Sequence, residues 1–395
     1  MKADNRFLQH VADPFRANLR RWMHTRAFQL CGYSGLLLAF VQSTLLVNQL
    51  HLSKLTLLGI TGTVILTFYV LMMITKILAH GEVIIYYHHE IAVIASTAFF
   101  LRGTGQPVLP YLDILVLGLG LFLACGRIGC LMVGCCHGRP CRWGIHYGTL
   151  HADAGFPRYM VGVRLFPIQA VESLLALCIV ASSMVLVLSG GRPGTALVFY
   201  VTAYGWGRFC LEFFRGDAER RYLWGFSEPQ WTSLLLAFAL SYGEQASILP
   251  AWRWHWLSPV FMTATFLIIT LSRHFDQSRN FEVFHPRHVR EILYGLDHLK
   301  HAPASKDRRV QPGSDTGLVH LIRTSLGYRI SRGRVITGRV DLTHYCISDE
   351  RAALSIRTAR LLAELLAHFE QPSPLPQLIQ GSTGVFHVVF GRSIP

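Results

Sequence analysis

Apolar runs of bilayer length govern what this chain can fold into. The hydrocarbon core of a membrane is about 30 Å thick, so a crossing helix needs roughly 20 mostly apolar residues. Runs of that kind lie near 28–48, 55–77, 83–101, 112–133, 168–189 and 195–214. A shorter run at 231–245 and another at 255–272 raise the expectation to seven or eight crossings. Inside lipid a backbone must satisfy its own hydrogen bonds, and a single apolar run does so as a helix. The sequence therefore predicts an all-α polytopic membrane protein. Composition agrees: of 395 residues, 51% are hydrophobic and only 15% charged. Such a balance excludes a disordered chain or a disulfide-stapled secreted domain, and it argues against a large soluble enzyme.

Polar segments flank the apolar block. Residues 1–27 mix arginines with Phe7, Leu8, Phe15, Leu19 and Trp22, the pattern of a basic amphipathic helix lying on a membrane surface. The membrane domain is expected over 28–273, with Trp252, Trp254 and Trp256 as an interfacial belt. A polar linker follows at 274–315, and 316–395 reads as a small soluble α+β domain. Strands are predicted at 318–329, 334–343 and 384–390, and a helix at 349–369 capped by Ser348. The net charge of +14 suits contact with anionic lipid; no nucleic-acid partner is expected.

Ionisable side chains in or at the rim of a membrane helix are costly, so each marks a candidate site. Tyr86-Tyr87-His88-His89-Glu90 opens the third run. The segment CGRIGCLMVGCCHGRPCRWGIHYG closes the fourth at 125–148, and YGWGRFCLEFFRGD closes the sixth at 204–217. In one continuous helix Tyr204, Arg208, Glu212 and Arg215 would share a face. Arginine's planar fork matches phosphate oxygens in pairs and stays charged in a low dielectric. Arg127 and Arg208 at headgroup depth thus point to a clamp on a phospholipid phosphate. The alternative is interfacial pairing with Glu172, Glu212 or Asp217. Gly126, Gly129, Gly134 and Gly138 permit close approach of a lipid head or a neighbouring helix. His88 or His89 offers a base suited to near-neutral pH.

Nine cysteines are present, five of them within 125–141. Cys130, Cys135, Cys136, His137 and Cys141 could ligate a metal. Their spacing includes no Cys-x-x-Cys pair and departs from structural zinc sites, while cysteine also serves as a small packing residue. No metal or cofactor is expected.

Together these groups resemble the bacterial prolipoprotein diacylglyceryl transferases. The resemblance rests on Gly126-Arg127 followed by Gly134, Gly138 and the WGIHY segment at 143–147, on PYLDILVLGLGLFLACGRIG with Asp113, and on Pro167-x-Gln169-x-x-Glu172. YGWGRFCLEFFR and Gln230-Trp231 complete it, and it covers about 28–248. It implies an enzyme of the bacterial cytoplasmic (inner) membrane that moves the diacylglyceryl group of phosphatidylglycerol onto the lipobox cysteine of a prolipoprotein. By the same resemblance His88, Arg127 and Arg208 would be catalytic. His89, Tyr204, Glu212, Arg215, Gln169, Glu172, Gly126, Gly134 and Gly138 would line the substrate site. The chain departs from the family pattern where His89 and Glu90 replace two glycines, Cys130 and Val133 replace asparagines, and Cys135 replaces a glutamate. A lipid-binding or carrier protein, or a paralogue acting on another acceptor, is the alternative reading.

Overall fold

A computed structural model gives the fold and describes residues 5–79, 86–252, 255–275, 280–301, 321–337, 340–370 and 376–393. Trp254 and the segment 302–320, which includes the last third of the expected linker, lie outside the described residues. Two compact units interleave along the chain: 1–135, 168–214 and 221–267 form one, and 136–167, 215–220 and 268–395 the other.

The first unit is helical. Its elements are α1 (Asn5–Gln49), α2 (Lys54–Ala79), α3 (Tyr86–Gly103), α4 (Val108–Val133), α5 (Ile168–Leu188), α6 (Thr195–Leu211), α7 (Glu228–Gln245) and α8 (Leu257–Phe275), the last running past residue 267. The basic N-terminal segment and the first apolar run thus form one continuous helix. Among the described residues, four stretches are long and apolar enough to cross a membrane: Arg26–Gln49, Lys54–Ile77, Val108–Val133 and Ile168–Leu188. Large apolar side chains such as Leu37, Leu45, Leu58 and Leu66 face outward, an arrangement that lipid rewards and water does not.

Helix α4 is the centre of this unit. Its small residues let backbones approach: a Cβ on Gly35 of α1 would fall 2.8 Å from Cys125 Cβ, and one on Gly129 would meet Phe28 Cα at 3.1 Å. Asp113, buried on α4, accepts the backbone N–H groups of Gly194 at 2.7 Å and Leu197 at 2.8 Å. A carboxylate from one helix thereby satisfies the orphan donors at the N-terminus of another.

In the second unit, strand β1 (Pro140–His146) pairs antiparallel with β2 (Arg164–Leu165). Helix α9 (Pro286–His301) occupies ground expected to be linker. The tail then forms β3 (Leu321–Arg323), β4 (Tyr328–Thr337), β5 (Val340–Asp349), α10 (Ile356–Ala367), β6 (Gln377–Gln380) and β7 (Val385–Ser393). These strands make a five-stranded antiparallel sheet in the order β3-β4-β5-β7-β6. One hydrophobic core joins Tyr147, Phe156 and Leu165 to Ile292 and Leu296 of α9, to Leu362 and Leu366 of α10, and to Ile347 and Val388 of the sheet. The segment between α4 and α5 therefore folds with the tail.

Two tail expectations are corrected. The strand placed at 318–329 breaks at a turn, where Gly327 has φ +92° and donates to the Thr324 carbonyl. The helix starts at Ser355, whose side chain accepts from Thr358 N at 3.1 Å, and not at Ser348. Ser348 is held in β5 by pairing with Arg329 and Val385 on either side.

Candidate functional site

Glu172 organises the candidate site. It sits one turn into α5 with no solvent exposure, and both of its oxygens are engaged. Oε2 lies 3.0 Å from Arg127 Nε on α4, and Oε1 lies 3.1 Å from Arg208 Nη1 on α6. Tyr204 donates its hydroxyl to the same Oε1 at 3.0 Å. Arg208 also pairs with Glu212, four residues further along its own chain, at 2.8 Å. One buried carboxylate thus ties three helices together and holds two guanidinium groups as a pair. An arginine fork has five N–H donors, so a carboxylate contact does not exhaust its capacity for phosphate oxygens.

Neighbouring residues fix this junction. Gln169, one turn earlier on α5 and fully buried, donates to the Cys135 carbonyl at 2.8 Å. Ser173 donates to the Ala124 carbonyl of α4 at 2.9 Å. Tyr200 stacks on Tyr204 with ring centroids 5.9 Å apart and donates to Glu90 on α3 at 2.6 Å. Tyr200, Tyr204, Arg208 and Glu212 follow at helical spacing, so the period that exposed the last three also contained the first. Glu90 is in electrostatic reach of both Arg208 and Glu172.

The two histidines separate clearly. His88 is partly exposed and its Nε2 lies 3.0 Å from Glu228 at the start of α7. His89 is buried, with its ring 4.8 Å from Phe68. Tyr87 packs edge-on against His88 with ring centroids 4.4 Å apart and is in electrostatic reach of both Glu228 and Arg208. Glu228 escaped the sequence analysis because its only signal is a contact across the sequence.

Not every expected residue joins this group. Helix α6 ends at Leu211 and passes into a 3-10 turn at Glu212–Phe214, so Arg215 leaves the shared face. Arg215 instead belongs to the second unit, buried at 1% exposure and 3.3 Å from Asp217. There it forms a β-bridge with Gly138, and the Gly216 N–H donates to the His137 carbonyl at 2.9 Å. Gly138 is pressed against the Phe166 carbonyl of the same unit, leaving no room for a Cβ. Gly134 closes α4 in the left-handed region at φ +87°. Gly126 has open space around its Cα.

Comparison with known proteins gives a consistent picture. A family model described as prolipoprotein diacylglyceryl transferase matches residues 24–243. The phosphatidylglycerol–prolipoprotein diacylglyceryl transferase of Clostridium tetani is 26% identical over 179 residues, covering 43% of this chain and 70% of that protein. A second such enzyme, from Clostridium perfringens, is 35% identical over 113 residues, 28% of this chain and 41% of the relative. One from Dehalococcoides mccartyi is 30% identical over 125 residues, 32% of this chain and 46% of the relative. The similarity thus spans less than half the length of two of these three relatives.

Proposed function

The chain belongs to the prolipoprotein diacylglyceryl transferase family, and from that premise we propose that it transfers the diacylglyceryl group of phosphatidylglycerol to a cysteine thiol of a prolipoprotein. The observation that carries this reading is Glu172 holding Arg127 and Arg208 together in a buried setting. Substitution at the glyceryl carbon breaks its bond to the phosphate oxygen, which departs with the electron pair as glycerol phosphate. Charge grows on that oxygen in the transition state. Two preorganised forks stabilise it without reorganisation, as electrostatic catalysis requires.

The attacking sulfur must lose its proton, since a free thiol has a pKa of about 8.5. His88 is the base in this account. It is reachable from outside, and the Glu228 carboxylate orients the ring and stabilises the imidazolium formed on proton transfer. His89 is a packing residue in this reading, its ring set against Phe68. Glu212 and Tyr204 position the arginine pair, Gln169 and Gly134 shape its floor, and Gly126 leaves space for the lipid head. Arg215 and Gly138 act as structural residues of the second unit. We place the helical unit in the bacterial inner membrane as a multi-pass protein, with α3, α6, α7 and α8 completing seven or eight crossings.

Purified protein in phosphatidylglycerol vesicles, given a peptide with a lipobox cysteine, is expected to yield a peptide heavier by one diacylglyceryl group. His88→Ala should remove that product while His89→Phe retains it. An unmodified peptide with wild-type protein, or full activity in His88→Ala, contradicts the reading.

A further inference from the structure

Glu90 is buried near the start of α3, yet the transfer mechanism above gives it no task. A buried carboxyl group is costly unless it is paired, so its place needs a reason. The Tyr200 hydroxyl of α6 donates to Glu90 Oε1 at 2.6 Å and ties the start of α3 to α6. Arg208, in electrostatic reach, offsets part of the cost.

Two residues earlier, His88 ties the same stretch of α3 to α7, with Nε2 3.0 Å from Glu228. Positions two apart on a helix point to different sides, so α3 is held from two directions. The two contacts differ in access. Glu90 is 7% exposed, whereas the side chains of His88 and Glu228 are each 38% exposed. The open contact is the one an acceptor thiol can reach, and the shielded one is left to hold the helix in place.

On the α6 side this hold continues into the arginine pair. The Tyr200 ring lies beside that of Tyr204, with centroids 5.9 Å apart and planes inclined by 23°. Tyr204 donates to Glu172, the carboxylate that Arg208 also meets. Both tyrosines are buried. Packed side chains therefore connect the backbone that bears His88 to the guanidinium groups.

We propose, resting on the transfer reading above, that Glu90 is a positioning residue that acts through Tyr200 to fix the spacing between His88 and the Arg127–Arg208 pair. A base works only within hydrogen-bond reach of the proton it takes. The thiol must at the same time stand in line with the bond to the phosphate oxygen that the arginines hold. In this role Glu90 touches neither the lipid nor the thiol.

The test is turnover in phosphatidylglycerol vesicles at pH 7 and at about pH 9.5, with a lipobox peptide as acceptor. Wild type, Glu90→Leu, Tyr200→Phe, their double variant and Glu90→Gln are compared. At pH 7, Glu90→Leu and Tyr200→Phe should each lose about 10–100-fold in kcat, with KM for the lipid within about twofold of wild type. The double variant should lose no more than either, because both changes break one tie. Glu90→Gln, whose amide oxygen accepts the same hydroxyl, should restore most of the turnover. A thiol of pKa about 8.5 ionises unaided at about pH 9.5, so there the losses should shrink to about threefold or less. A purely structural lesion lowers turnover equally at both pH values, and that result overturns the proposal. So do losses that multiply in the double variant. Tyr200→Phe keeps the ring and its packing, so it decides the matter even if Glu90→Leu fails to fold. No product from wild type would instead overturn the transfer reading, and this inference with it.

Discussion

At the scale of single residues, the account turns on Glu172. Both arginines and Glu212 were legible in the sequence as ionisable groups where lipid makes them costly. What the sequence did not disclose is that one carboxylate would form an ion pair with Arg127 while accepting from Arg208 and Tyr204. That convergence depends on how α4, α5 and α6 pack, and no local pattern encodes it. Glu172→Gln keeps the shape but removes the negative charge that the two guanidiniums share. It should lower kcat/KM about 10–100-fold, or about 1.4–2.7 kcal/mol of transition-state stabilisation, with unchanged helix content by circular dichroism. Glu172→Ala leaves two buried guanidiniums without their shared partner and should destabilise the protein by about 3–5 kcal/mol, read from denaturation. Wild-type turnover in Glu172→Gln would mean that Glu172 is only a packing residue.

Among elements, hydropathy found the helices well because lipid imposes one solution on a long apolar run. It failed at ends, where the deciding contacts are distant. Periodicity carried α6 through Arg215, yet the chain leaves the helix at Leu211 to pair with Gly138. The tail erred for the same reason: Ser348 looked like a cap, but strand pairing on both sides holds it extended. Asp113 is the instructive case within the membrane unit. Its sequence signal was a lone acid in an apolar helix, and its task is to cap α6 from α4. Asp113→Ala should cost about 1–2 kcal/mol of stability, as loss of a capping side chain does elsewhere. It should leave turnover by the surviving folded enzyme near wild type, since Asp113 lies at the opposite end of α4 from Arg127. A loss of turnover without a loss of stability would contradict that division.

Considered as a whole molecule, the chain forms two compact units that the sequence crosses between repeatedly. The second unit carries its own pH signature. Burial, with Arg139, Arg287, Arg273 and His288 around it, lowers the pKa of His285 from 6.5 to about 4, and burial also lowers that of His288. The His285 ring is neutral when folded at neutral pH and takes up a proton on unfolding below pH 6.5. Its contribution to stability is thus complete above pH 6.5 and is lost as pH falls toward about 4, and His288 acts in the same direction. Unfolding of this unit should shift to lower temperature between pH 7.5 and 5, and His285→Gln should flatten that dependence. The helical unit carries the central claim, that the arginine pair works as a bidentate clamp on phosphate. The most direct measurement is turnover of Arg127→Lys and Arg208→Lys beside wild type in phosphatidylglycerol vesicles. A lysine preserves the charge but not the fork, so each variant should lose about 100-fold or more in kcat while remaining folded. Retention of near-wild-type turnover by both lysine variants would contradict the clamp.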